Sequence, residues 1–218
     1  MRVLAVCVSA PKPVQYRGKE LLTGIYKEAV SGPRFVHKTN IDGDSQADLS
    51  VHGGINKAVY AFPNEHYRFY EEHIGRGPFE FGQFGENLTT EGLLETEVHI
   101  GDQYQINDVI FEVSQPRSPC FKFGIKMGTA AAVKACLNSC KTGFYLRVLR
   151  EGSIQSGDTI RRLFSNDSAP SVHETHRLYY FDTQDVSGLK RALQTSALSK
   201  VWKDEFEARL KKLSLQPH

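Results

Sequence analysis

The chain lacks a long apolar segment. Its longest uninterrupted apolar run covers residues 3–8, whereas a membrane-spanning helix needs about twenty such residues. The run follows Met1 and Arg2, but it is also shorter than the apolar part of an export signal. We therefore expect a first β-strand at residues 2–8 and no membrane partner.

Charge of one sign and cysteine are also scarce. Twenty-seven Lys and Arg against twenty-five Asp and Glu leave a formal charge of +2, which argues against a nucleic-acid partner. The four cysteines show no zinc-type pairing, and they fit a reducing compartment better than a disulfide framework. We therefore expect a cytoplasmic protein.

Several common catalytic motifs are missing. No Gly-x-Gly-x-x-Gly follows a predicted strand, and the chain has neither a Walker loop nor a Gly-x-Ser-x-Gly elbow. These absences argue against nicotinamide binding, nucleotide hydrolysis and ordinary serine hydrolysis.

Short segments of alternating polarity dominate the first three quarters of the chain. Turn signals such as Asn107-Asp108 and Gly101-Asp102 separate them, and two helices, one beginning at Asn64 and one at 129–140, interrupt them. The pattern predicts a barrel or closed sandwich rather than an alternating βαβ sheet. Strands are predicted at residues 2–8, 21–26, 35–38, 57–61, 98–100, 104–106, 109–114, 144–149 and 158–163.

The pattern becomes wholly helical after a linker at residues 165–170. Three helices are expected, beginning at Ser171, which forms a capping box with Glu174, and then at Asp185 and Ser199. The predicted organisation is a mainly β domain at 1–164 and a three-helix module at 171–214. Three short helices bury little surface alone, so they should lean on the first domain or on a second subunit, and a homodimer is one possibility.

Cys120 differs from the other cysteines in its surroundings. It follows a predicted strand in Pro116-Arg117-Ser118-Pro119-Cys120-Phe121-Lys122, a segment stiffened by two prolines. Arg117 and Lys122 favour the thiolate, the form that attacks electrophiles or binds a soft metal. A buried structural cysteine is an equally good reading of composition alone. The remaining thiols look like small core side chains: Cys7, Cys136 and Cys140.

Two glycine-containing segments form weaker candidate sites. His52 and Lys57 flank Gly53 and Gly54, an arrangement suited to a phosphate or a pterin, although a plain turn explains a lone Gly-Gly as well. In the segment at 84–89, Asn87 could form a hydrogen bond at a pocket rim.

The histidines offer little support for a metal site. His173 and His176 lie one helical turn apart, but the sequence shows no third ligand near them. His66 and His73 are expected on the exposed face of the first helix.

Taken together, three ordered segments resemble the MOSC family, named for the C-terminal domain of molybdenum cofactor sulfurase, and in particular its bacterial YiiM-like branch. They are His52-Gly53-Gly54 with Lys57-Ala58-Val59-Tyr60, then Phe84-Gly85-Glu86-Asn87-Leu88, then Gln115-Pro116-Arg117-Ser118-Pro119-Cys120. The resemblance covers about residues 15–163, and the three-helix tail is similar in architecture to the small module of that branch.

The resemblance implies a MOSC-type β-barrel that holds a molybdenum cofactor (molybdopterin), with Cys120 as ligand to the metal and catalytic residue. Members of the branch are similar to the mitochondrial amidoxime-reducing enzymes and reduce N-hydroxylated small molecules such as 6-N-hydroxylaminopurine. The resemblance and the charge pattern together assign these residues to cofactor binding: His52, Gly53, Gly54, Lys57, Arg117, Ser118, Lys122, Thr23, Gly24 and Asn87.

Such a reductase needs electrons from outside the chain. The sequence has no flavin fingerprint and too few cysteines for both a molybdenum ligand and an iron–sulfur cluster, so we expect an external flavin or iron–sulfur reductase as partner. Two alternatives stay open. Cys120 could carry a persulfide in a sulfur carrier or cofactor-delivery protein, or it could be inert in a plain binding barrel.

Overall fold

The structure, a computed structural model, describes residues 1–47 and 53–215. Within these residues it has twelve strands and six α-helices. The strands are β1 Arg2–Val8, β2 Lys12–Tyr16, β3 Lys19–Thr23, β4 Glu28–Val30, β5 Arg34–Val36, β6 Val59–Pro63, β7 Leu88–Glu91, β8 Gln103–Ile106, β9 Val109–Pro116, β10 Phe144–Arg150, β11 Gly152–Ile154 and β12 Ile160–Phe164. The helices are α1 Tyr67–Ile74, α2 Phe121–Met127, α3 Ala131–Ser139, α4 Val172–Tyr180, α5 Val186–Gln194 and α6 Lys200–Ser214.

An eight-stranded sheet forms the body, in the order β12-β8-β9-β10-β6-β7-β1-β4. Its pairs are antiparallel except for β6 with β7, which run parallel. The sheet curls: an isolated bridge joins Arg2 to Thr159, and the Ile160 amide donates to the Met1 carbonyl at 3.0 Å. The expected sheet-dominated fold is confirmed, and its two margins meet through this bridge. Two small ribbons, β2–β3 and β5–β11, pair separately.

The main core fills the curled sheet and continues into the three C-terminal helices. Val98, Phe111 and Phe144 are fully buried in the same cluster as Trp202 and Phe206 of α6. A second, aromatic cluster lies on the other side of β6, where the rings of Phe62 and Phe84 stack at 4.0 Å. Burying a Phe side chain stabilises a fold by roughly 1.5–3 kcal/mol, so this cluster anchors α1, α2 and the loop at 79–86 beside the sheet.

The three-helix module begins where its capping residues predict. The Glu174 amide donates to the Ser171 hydroxyl at 3.1 Å, and the Ser171 amide donates to the Glu174 carboxylate at 2.8 Å. Asp185 caps α5 and Ser199 precedes α6. These three predicted helix starts are confirmed. The Ser199 amide also donates to the Ser114 carbonyl at 3.1 Å, which ties the module to β9.

Some predicted elements differ from the structure. The segment at 98–100 is buried but is not a strand, because the Val98 carbonyl and the Ile100 amide bond to Val172 and Pro170, beside the start of α4. The strand predicted from Lys57 begins at Val59, after a 3₁₀ turn at Ile55–Lys57. Sequence patterns missed β2, β4, β7, β11 and α2. Four of these five have five residues or fewer, too short for a periodicity to show.

In residues 1–47 and 53–215, every helix is too short or too polar to reach across a bilayer.

Candidate active site

A cleft beside α2 brings most of the predicted site residues together. Four stretches of the chain contribute to its walls: residues 23–25 and 27, residues 45–47, residues 85 and 87, and residues 117, 118, 120 and 122. Gly53, Lys57, Tyr60 and Tyr145 complete the lining, and the cleft encloses about 700 Å³ of empty space, a volume that includes open solvent. Among the described residues, the lining carries four cations, Lys27, Lys57, Arg117 and Lys122, and no carboxylate.

Cys120 is one of the residues that line this cleft. It precedes the first residue of α2, where its carbonyl accepts from the Phe123 amide at 3.0 Å, and its side chain is half-buried. All four cysteines lie within the described residues, and the other three are buried. Burial raises the pKa of the Cys7 thiol to about 12 and also raises the pKa of Cys136 and of Cys140. Cys120 is therefore the cysteine with access to a ligand.

Arg117 is buried in the wall beside Cys120. Its guanidinium lies 5.2 Å from the centre of the Tyr60 ring and 4.8 Å from that of Phe123. Atom Nη1 is buried and has no hydrogen-bond partner. A guanidinium stays charged in a protein, and an unsatisfied buried donor costs about 1–3 kcal/mol. This orphaned donor in the wall of an open cleft is what an anionic ligand would satisfy.

Two predicted lysines lie in the same lining. Burial lowers the pKa of Lys57, which ends the 3₁₀ turn before β6. Lys122 donates from Nζ to the Leu22 carbonyl at 3.2 Å, a contact that joins α2 to the end of β3. Both lysines therefore line the same cleft as Cys120.

Sequence patterns missed a buried ion pair that supports the cleft wall containing Lys27. Asp44 accepts hydrogen bonds from Lys27 Nζ, from the Ser9 amide at 3.0 Å and from Asn87 Nδ2 at 3.0 Å. Burial lowers the pKa of Lys27, and the neighbouring Asp44 carboxylate opposes that shift. Seventeen residues separate the two partners, so no helical or strand spacing could reveal the pair.

Asn87 and Gly24, both predicted to bind cofactor, shape the wall. The Asn87 side chain accepts from the Tyr60 amide at 3.1 Å and donates to the Cys7 carbonyl at 3.3 Å as well as to Asp44. Its amide is therefore occupied in holding the wall. A Cβ at Gly24 would lie 2.5 Å from the Ser45 carbonyl oxygen, so only glycine allows the two segments to approach. Thr23 is buried beside it.

A second buried carboxylate shapes the loop before Asn87. Glu86 accepts from the amides of Gly82 and Phe84, at 2.8 and 2.9 Å, from the Thr89 hydroxyl at 2.9 Å and from Tyr67 Oη. These four donors satisfy its lone pairs, so the acid has a structural role. The segment at 84–89 was a predicted candidate site, but the sequence indicated no role for Glu86.

His66 is buried, which corrects the expectation of an exposed side chain. Its Nε2 lies 2.6 Å from the Glu95 carboxylate, whose other oxygen accepts from the Gly143 amide at 2.7 Å. The Gly143 carbonyl in turn accepts from the Arg117 amide at 3.1 Å. These contacts connect His66, which directly precedes α1, to the backbone of Arg117 and so position that residue.

The remaining predicted residues are placed as follows. Gly53 and Ser118 line the cleft, whereas Gly54 does not; both glycines have positive φ, 88° and 80°, as the adjacent pair suggested. His52 lies outside the described residues. His176 is buried, its Nε2 donating to the Leu137 carbonyl at 3.0 Å. No group of three His, Cys, Asp or Glu side chains in the described ranges is arranged to hold a metal ion.

The chain matches the MOSC domain family over residues 48–161, more than half of its length. It belongs to the MOSC domain family. The tail matches the YiiM-like 3-alpha helix domain over residues 170–213. MOSC domains are associated with binding of the molybdenum cofactor. Cys120, Arg117, Lys57 and Lys122 of the cleft lie within the matched region, whereas its lining residues at 23–27 and 45–47 precede that region.

Relatives extend over nearly the whole chain. The Bacillus subtilis (strain 168) protein YflK is 39% identical over 204 residues, covering 94% of this chain and 92% of YflK. A protein of Gibberella moniliformis (strain M3125 / FGSC 7600) named "Reductase" is 38% identical over 149 residues, which cover 67% of this chain and 26% of that protein. The crystal structure of YiiM from Geobacillus stearothermophilus superposes with a TM-score of 0.82 at 33% identity, covering 96% of this chain and 98% of that one.

Proposed function

We propose that this MOSC domain is a molybdenum-cofactor-dependent reductase of N-hydroxylated small molecules, in which Cys120 is the protein ligand to the metal. The observation that carries the proposal is the placement of one accessible thiol in a cleft walled by cations. Cys120 lines the cleft, whereas the other three cysteines are buried and do not line it. The reductase name of one relative supports the choice of reaction class.

The residues of the cleft fit the chemistry of this cofactor. A thiolate is a soft ligand suited to molybdenum, and the cofactor phosphate is an anion that needs charged donors. The unpartnered Nη1 of buried Arg117 is such a donor. Lys57 and Lys122 add two further cations.

When bound, the cofactor would supply the two-electron chemistry that converts an N-hydroxylated nitrogen and two protons into an amine and water. The chain's own residues bind and orient it. Cys120 would hold the metal, and Arg117, Lys57 and Lys122 would hold the anionic part. Asp44 and Asn87 hold the wall that contains Lys27 in place: Asp44 bonds to Lys27, and Asn87 bonds to the Tyr60 backbone. An external flavin or iron–sulfur reductase would return the electrons, as the proposal requires.

The test compares the native chain with Cys120→Ser, both purified without oxygen. Molybdenum is measured by elemental analysis and pterin by the fluorescence of its oxidised form. We expect about one molybdenum per native chain and a loss of at least tenfold in Cys120→Ser. Native protein should reduce 6-N-hydroxylaminopurine with a reduced viologen dye as donor, and the variant should not.

Cys140→Ser is the matched control, since it removes a buried thiol that does not line the cleft. It should retain both molybdenum and activity. Full activity in Cys120→Ser would refute the assigned ligand. Sulfane sulfur on Cys120 without molybdenum would refute the reductase and support the alternative, a sulfur carrier or cofactor-delivery protein.

A further inference from the structure

An aromatic pair, of which Phe121 is the exposed member, lies beside Cys120. Phe121 directly follows it as the first residue of α2, and 52% of its surface is exposed. The Tyr16 ring lies 5.7 Å from the Phe121 ring, at an interplanar angle of 33°. A half-exposed Phe carries no hydrogen bond that a ligand would have to break, and its apolar surface is available for a partner.

Tyr16 belongs to the separate β2–β3 hairpin, which is turned toward the cleft. Tyr16 is paired with Lys19, and Lys12 with Thr23. Because side chains alternate along a strand, Tyr16 and Thr23 lie on the same face of the hairpin. Thr23 lines the cleft, so this face borders the site, while the opposite face carries exposed Leu22.

Two contacts hold the hairpin and α2 together. The aromatic pair is one, and the hydrogen bond from Lys122 Nζ to the Leu22 carbonyl, at 3.2 Å, is the other. On its outer side Tyr16 is covered by the Arg17 guanidinium, 5.2 Å from the ring centre. The Phe121 ring therefore lies in a defined place, supported from one side and open on the other.

The cleft thus has two chemically distinct parts, its interior and its rim. Cations line the interior and suit an anionic cofactor, whereas the rim beside Cys120 presents a flat apolar ring. Planar conjugated rings pack against such a ring in offset stacks and gain more than the same area of aliphatic contact. A compact aliphatic molecule gains nothing comparable there.

We propose that Phe121, supported by Tyr16, is a specificity-determining residue that favours N-hydroxylated substrates carrying a flat conjugated ring over compact aliphatic ones. The inference rests on the proposed reductase function. It concerns the rim alone, because Phe121 is not among the residues that line the interior. Phe121→Ala should therefore change the choice between substrates and leave metal loading intact.

The experiment compares 6-N-hydroxylaminopurine with N-hydroxyurea, a compact aliphatic compound, in holoenzyme supplied with a reduced viologen dye. In Phe121→Ala we expect KM for the purine to rise about threefold to tenfold, with kcat and the KM for N-hydroxyurea within twofold of native. Phe121→Leu keeps an apolar side chain but removes the flat ring, and it should behave like Phe121→Ala. Tyr16→Leu should shift the purine KM in the same direction.

Phe164→Ala is the matched control, since Phe164 of β12 is 51% exposed and does not line the cleft. It should match native protein for both substrates. A second readout needs no turnover: adenine binding, followed by ligand-observed NMR titration, should weaken about threefold to tenfold in Phe121→Ala and not in Phe164→Ala.

The two proposals fail in different ways. If native holoenzyme reduces neither compound, the reductase function is refuted, and the adenine titration still decides the role of the rim. Equal adenine affinity in native and Phe121→Ala protein would overturn the inference. A Phe121→Leu variant that keeps native discrimination between the two substrates would overturn it as well, because stacking would then not be the cause.

Discussion

We expect acid to destabilise this protein at the junction between the helical module and the domain. His176 of α4 is fully buried and bonds to the Leu137 carbonyl at the end of α3. Atom Nδ1 is buried without a partner. Burial lowers the pKa of His176 to about 4, and the nearby His173 and Arg177 act in the same direction. The folded protein therefore holds this side chain neutral.

The sign and size of the effect follow from linkage. The ordinary pKa of His is 6.5 and the folded value is about 4, so between these values the unfolded chain binds more protons than the folded one. Stability contributed by the neutral side chain is complete above pH 6.5 and is lost as the pH falls toward 4. Each unit of pKa difference corresponds to about 1.36 kcal/mol, so the total loss is about 3 kcal/mol.

The assay is urea unfolding at several pH values between 7 and 4. Trp202 is the single tryptophan, is 2% exposed and lies 4.5 Å from the Tyr179 ring of α4, so its fluorescence reports unfolding of this junction. His176→Gln keeps a donor for the Leu137 carbonyl but cannot titrate. At pH 4.5 we expect native protein to have lost about 2–3 kcal/mol more than the variant, relative to pH 7.

Carboxylates also titrate in this range, which is why the comparison with the variant decides the question. His173→Gln, on the same helix and only half-buried, is the control and should follow the native curve. Parallel native and His176→Gln curves from pH 6.5 to 4.5 would refute the reasoning, because the buried histidine would then not be the origin of the acid sensitivity.

Two further substitutions test the walls of the site. Gly143→Ala places a Cβ 2.4 Å from the Ala61 carbonyl oxygen, while Gly75→Ala, at a similar positive φ, meets nothing within 4 Å. Calorimetry should show that Gly75→Ala lowers the free energy of unfolding by about 1–2 kcal/mol and that Gly143→Ala lowers it by at least about 1 kcal/mol more. Equal losses in the two variants would contradict the steric account. Asp44→Ala leaves Lys27 buried without its partner and should cost about 3–5 kcal/mol in urea unfolding. Adding Lys27→Met should recover part of that loss, and no recovery would show that the unpaired charge is not the cause.

Local signals in the sequence predicted the elements whose structure depends on neighbouring residues. Asn107-Asp108 was predicted as a tight turn, and Asn107 has a φ of 51° between β8 and β9. The capping box at Ser171 and Glu174 was predicted from a three-residue spacing, and both of its hydrogen bonds are present. Such devices satisfy backbone groups within one turn, so a single sequence contains all the information they need.

The residues that sequence reasoning missed depend on contacts between distant segments. Asp44 pairs with Lys27. Glu95 contacts both His66, 29 residues away in the sequence, and Gly143, 48 residues away. No periodicity encodes these pairs, and His66 could not be distinguished from an exposed helical histidine before the sheet was assembled. The strand predicted at 98–100 was wrong for the same reason, because the hydrogen-bond partners of this segment are Val172, at the start of α4, and Pro170, just before it.

The sequence alone determined the tight turn at Asn107-Asp108, the starts of the three C-terminal helices and the cysteine to be considered, because turn chemistry, capping and neighbouring charge act over a few residues. Whereas the sequence had already predicted that Cys7, Cys136 and Cys140 are core side chains, only the tertiary structure decided that Cys120 faces a cleft. It also decided that Arg117 keeps a buried donor unsatisfied. Burial and hydrogen-bond satisfaction depend on which distant segments pack together, and the curled sheet settles that.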